Sequence, residues 1–104
     1  MRVMSMNDLS KSISADARVK IGLLFPLEDR ASVERILIEQ LNPALRHIKA
    51  GSLERWHFAA LKLSEGTITK LHSAVALGQK DWRDFLVAAN FGTADAYRSW
   101  QPTL

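Results

Sequence analysis

The chain contains no cysteine. Disulfides, thiolate nucleophiles, iron–sulfur clusters and every cysteine-based zinc motif are therefore excluded. Proline and glycine are sparse, at three and five of 104 residues, so few points can break a helix. Unbroken apolar runs are only a few residues long, as in Phe85 to Ala89, far short of the ~20 that span a membrane as a helix. The opening Met1-Arg-Val-Met-Ser-Met6 also lacks the continuous apolar stretch of a signal peptide. Together with the absence of cysteine, this makes the cytoplasm the expected compartment.

What is present suits a globular domain. Hydrophobic residues make up 47% and charged residues 24%, with three Trp and four Phe. That supply can form a core without a metal or disulfide staple. Net charge is +3, unevenly placed. Residues 1–42 hold six basic and six acidic side chains. Residues 43–80 hold Arg46, Lys49, Arg55, Lys62, Lys70 and Lys80 against Glu54 and Glu65. These charges read either as solvated helix faces or as a basic patch for an anionic partner.

Apolar periodicity and end signals predict helices throughout. Leu9, Ile13, Ala17, Ile21 and Leu24 recur at intervals of four and three, placing one face on a helix over about 7–24. Val19 to Leu23 could alternate as a strand, but no second strand candidate exists to pair with it. Pro26 suits a first helical position, followed by Glu28 and Asp29 at the positive end of the dipole. This second helix should stop at Asn42-Pro43, because the residue before proline is steered out of the α region. A connector over 43–51 follows, with room for one helical turn, closed by Gly51. Ser52, Thr67, Asp81 and Thr93 then each suit a helix cap. Gly66, Gly78 and Gly92 are each expected to end a helix, most of them with positive φ. The helices beginning near Leu53 and Trp82 are apolar around most of their circumference and should pack together as the core. The expected fold is an all-α compact bundle of five or six short helices. It would form a single domain over 1–104, with an N-terminal helix within 1–25 and a compact bundle over 26–104.

Three segments carry a resemblance: Leu24-Phe-Pro-Leu-Glu-Asp-Arg30, Glu54-Arg-Trp-His-Phe-Ala-Ala-Leu-Lys-Leu-Ser-Glu-Gly66 and Asp81-Trp-Arg-Asp-Phe-Leu-Val-Ala-Ala-Asn-Phe-Gly92. They resemble a family of small all-helical bacterial proteins without an assigned function. The likeness covers about residues 24–102 and rests on core and capping positions. It implies a helical fold and carries over no catalytic or binding residue.

Glu54-x-x-His57 has the spacing of helical di-iron sites. A second such pair is missing: Thr69 stands three before His72, and Ala44 three before His47. His57 and His72 therefore read as partly buried, hydrogen-bonded bundle residues. Asp81 and Asp84 have the spacing of a cap and its third helical position, which explains them without acid–base chemistry. Gly-x-Ser-x-Gly, His-Glu-x-x-His and phosphate-cradling glycine loops are all absent. No catalytic, cofactor-binding or metal residue set emerges, and no reaction type is supported.

A helix-turn-helix reading of Ala74 to Gly78 and the helix after it places Asp81 and Asp84 where DNA phosphates would lie. Only Arg83 and Asn90 make an attractive base-reading pair. Elimination leaves a small cytoplasmic protein–protein interaction module as the expected function. Leu9, Ile13, Ala17, Ile21 and Leu24 would either fold back on their own bundle or meet a partner or second copy. The alternatives are a nucleic-acid-binding regulator using the basic surface of 43–80, and a small helical enzyme with an unrecognised site. A polar pocket would favour the enzyme, and an exposed apolar patch the module.

Overall fold

The computed structural model describes residues 13–45, 53–93 and 95–102. Among them are five α-helices and no strand. The chain is an all-α bundle.

Helix α1 spans Ala15–Leu24. Ser14 has an extended backbone, and its hydroxyl accepts from the Ala17 N–H at 3.1 Å. A serine that bonds the backbone in this way starts a helix rather than continuing one. This corrects the expectation of one helix running on from Asn7, whose first positions lie outside the described residues. At the other end, Arg30 donates to the carbonyls of Gly22 at 3.0 Å and Phe25 at 3.1 Å. A cation there complements the negative end of the helix dipole.

Pro26 occupies the cap position of α2, Leu27–Ile36, one residue earlier than expected. Helical backbone then continues through a π turn, Leu37–Leu41, and a 3-10 turn, Asn42–Leu45. The expected stop at Asn42-Pro43 does not occur. Leu37, Leu41 and Leu45, spaced by four, are all buried, and their burial outweighs the local preference before proline. The turn widens instead, because a proline ring excludes the carbonyl four residues back and offers no N–H. Gln79 of the fourth helix donates to the Gln40 carbonyl at 2.8 Å, supporting this irregular stretch.

Helix α3, Leu53–Ser64, is central, and Arg55 to Leu61 are all buried. It ends in two left-handed residues, Glu65 at φ 50° and Gly66 at φ 84°. A Cβ on Gly66 would lie 2.8 Å from the Leu24 carbonyl oxygen. Gly66→Ala should therefore destabilise by about 1–3 kcal/mol, through positive φ and a backbone clash that must displace the end of α1. Urea unfolding measures this. An unchanged midpoint would mean that α1 does not lie against this turn.

Thr67 caps α4, Ile68–Lys80, accepting from the Lys70 N–H at 3.2 Å. Gly78 does not end this helix. It is buried inside it, where a Cβ would meet Leu41 at 3.0 Å and the Phe85 ring at 3.4 Å. Its smallness serves close packing rather than a turn. Asp81 caps α5, Trp82–Ala88, accepting from the N–H groups of Arg83 and Asp84. That helix is shorter than expected. Asn90, at φ 64°, takes the left-handed position assigned to Gly92, and the Phe91 N–H reaches back to the Leu86 carbonyl at 2.8 Å. A 3-10 turn, Ala96–Ser99, replaces the final helix expected after Thr93.

Two aromatic groups fill the interior. Trp56 lies 5.6 Å from Phe85 and 5.8 Å from Trp82, centroid to centroid. Phe58 and Phe91 interleave with Tyr97 and Trp100 at 5.3–6.5 Å. Arg55 bridges the second group to its backbone, donating to the carbonyls of Phe91 and Gly92.

The face expected to meet a partner is used internally. Ile13, Ala17 and Ile21 are buried in the core, and Leu24 packs against it. Leu9 lies outside the described residues. The described residues of this face fold back on the chain's own bundle, the alternative that the sequence left open.

Candidate functional site

A cleft of about 450 Å³ opens between α1, α3 and the C-terminal turn, lined by Asp16, Lys20, Glu54, Phe58, Arg98 and Gln101. Its geometry follows from helical spacing. Asp16 and Lys20 stand one turn apart on α1, as Glu54 and Phe58 do on α3, so each helix presents a pair along one line. Ser14 ties the two walls together. While capping α1 it donates to Glu54 Oε2 at 2.5 Å.

Lys20 is the unusual member. It is 6% exposed, and its ammonium lies 4.6 Å from the Phe58 ring centroid and 5.9 Å from that of Trp100. It forms no hydrogen bond or ion pair with any described residue. Aromatic faces attract a cation by roughly 0.5–2 kcal/mol, which offsets only part of the cost of drying a charge. Arg98 at the rim is exposed and already engaged. It lies 5.8 Å from the Tyr97 ring centroid and pairs with Asp95 at 3.6 Å, and its interactions with Tyr97, then with Asp95 and Glu54, hold its pKa above the usual guanidinium value.

The residues singled out from the sequence do not converge here. Glu54 faces the cleft, whereas His57 points inward and places Nε2 2.6 Å from Asn42 Oδ1. Oδ1 is an acceptor, so Nε2 carries the proton and Nδ1 is left buried without a partner. Burial lowers the His57 pKa from 6.5 to about 4. His57 is thus the buried, bonded histidine expected. His72 is not, because it lies on the solvent side of α4, exposed. Among the described residues no three His, Asp or Glu side chains are grouped to hold a metal ion.

Three of the basic residues of 43–80 are engaged within the protein. Arg55 is buried on backbone carbonyls, Lys62 lies 4.8 Å from the Phe91 ring centroid, and Lys70 pairs with Glu65. Arg46 and Lys49 fall outside the described residues. The Arg83 guanidinium lies 5.1 Å from the ring centroid of its neighbour Trp82. Asn90 sits beyond the end of α5 rather than in line with Arg83.

Sequence reading missed Lys20 and Arg55. A signal for Lys20 existed: it falls seven residues after Ile13 and three after Ala17, inside the buried stripe of α1. Comparison with family models, curated proteins and solved structures found no match.

Proposed function

We propose that the protein is a small ligand-binding module whose cleft takes an anionic group beside Lys20. The observation that carries this reading is Lys20 itself, lining the cleft with no anion of a described residue bonded to its ammonium. A charge-assisted hydrogen bond to a ligand anion would be roughly twice as strong as a neutral one. The cleft also falls within the ~300–1,000 Å³ usual for small-molecule sites.

A thermal-shift panel of small carboxylates and phosphates, run on the natural protein and on Lys20→Met, tests the idea. Methionine keeps much of the lysine stem's apolar packing while removing the charge. At least one anion class should raise the melting temperature of the natural protein in a concentration-dependent way, and should do nothing to the variant. A ligand that binds only the native state must stabilise it. Equal shifts in both proteins, or none with any anion, would reject the reading.

The interaction module expected from the sequence stands as a second reading, on different residues. Val19 and Leu23, one turn apart on α1, are 58% and 43% exposed, and Leu27 at the start of α2 is 76% exposed. The occupant of this edge would be a second copy, since a twofold pairing sets one apolar edge against itself. Light scattering should then detect a dimer that Leu23→Glu dissolves. A monomer at every concentration would end this reading and leave the cleft untouched.

A further inference from the structure

We infer that the ligand of the Lys20 cleft is a small zwitterion, an aminocarboxylate whose carboxylate meets Lys20 and whose ammonium meets Glu54 and Asp16. This rests on the reading of the cleft as a ligand site and adds the ligand's chemistry. The lining carries two acidic and two basic side chains, Asp16 and Glu54 against Lys20 and Arg98. They are not equally free. Arg98 pairs with Asp95 at 3.6 Å, lies 5.8 Å from the Tyr97 ring centroid and also feels the Glu54 charge without an ion pair to it. Glu54 receives the Ser14 hydroxyl on Oε2, and Oε1 accepts nothing from a described residue. Asp16 has no ion pair with a described residue. What remains on offer is Lys20, a residue 6% exposed whose ammonium rests on the Phe58 ring, with Asp16 and Glu54 in the same lining.

Each simpler ligand fails on one of these groups. A dicarboxylate would satisfy Lys20 but set a second negative charge near Asp16 and Glu54. An amine would satisfy the carboxylates and face the Lys20 ammonium. Like charges held close inside a partly dried site repel far more than in open water. A molecule with an opposite charge at each end satisfies both walls, and its carbon chain can lie on Phe58.

The test is an NMR titration of the full chain, following backbone amides at constant ionic strength. The probes are β-alanine and γ-aminobutyrate, compared with butyrate, butylamine and succinate. An aminocarboxylate should cause saturable shifts at Asp16, Lys20, Glu54, Phe58 and Gln101. Its half-saturation should fall at least about tenfold below those of butyrate and butylamine, equivalent to ~1.4 kcal/mol. Lys20→Met and, separately, Glu54→Gln should each abolish that advantage. Two variants on different helices keep the test decisive if one fails to fold. If butyrate or succinate binds as tightly as the aminocarboxylates and still depends on Lys20, the zwitterion inference is overturned and the anion-binding reading survives. No saturable shift from either aminocarboxylate overturns the inference, and the anion panel then decides the broader reading separately.

Discussion

Trp56→Ala and Phe85→Ala should each lower the free energy of unfolding by about 3–5 kcal/mol, as lost burial plus a cavity that close-packed neighbours cannot fill. Trp56 is 2% exposed and Phe85 0%. Their rings touch between α3 and α5, and Phe85 also lies where Gly78 lets α4 come near. The structure around Phe85 therefore has little freedom to collapse inward. Against a typical total of ~5–15 kcal/mol, either change removes a large share of the stability. The two losses should be less than additive when combined, since both substitutions delete one shared contact. Val87→Ala on the same helix is the contrast, because Val87 is 69% exposed and surface changes stay within about 0.5 kcal/mol. Urea denaturation of the natural protein and these four variants measures all of this. A Phe85→Ala midpoint equal to that of Val87→Ala would contradict the packing described here.

Acid should destabilise the protein through His57. Its pKa falls from 6.5 to about 4 on folding, so the native state keeps the ring neutral where the unfolded chain takes up a proton. The contribution is therefore fully present above pH 6.5 and drains away as pH falls towards about 4. A difference of that size, at ~1.4 kcal/mol per pH unit, amounts to about 3 kcal/mol. The cause is visible in the packing. Nε2–H is already given to Asn42, and a second proton would sit on Nδ1, which is buried with no acceptor. His57→Gln should flatten the stability profile over this window, whatever it costs in packing. His72→Gln should not, because His72 is exposed. A slope that survives His57→Gln would assign the acid sensitivity to other groups.

Much of this architecture could be read from single residues, and the failures have physical causes. Thr67 and Asp81 cap as expected because capping depends on one side chain and the N–H groups just after it. Gly66, Gly78 and Gly92 looked alike in sequence, yet only the first takes positive φ. Gly78 is placed by its neighbours Leu41 and Phe85, which are distant in sequence. Asn42-Pro43 carried a local stop signal, and the burial of Leu41 and Leu45 overrode it. The face of α1 was identified correctly, but not what covers it, since an apolar stripe does not name its partner. The cleft was the least legible feature. Lys20 counts as a surface residue by type, and its aromatic neighbours come from Phe58 and Trp100, far along the chain. Arg55 was hidden for the same reason: its partners are carbonyls, which carry no residue signature.

The cleft draws its walls from three widely separated stretches, Asp16 to Lys20, Glu54 to Phe58 and Arg98 to Gln101. No local folding event can create it. Helix α1 and the C-terminal turn each dock on the bundle through core side chains, Ala17 and Ile21 on one and Tyr97 on the other. The cleft therefore exists only while both are docked, and undocking of either erases it. Any molecule that bound there would bridge α1 to α3 and so act as a clasp between them.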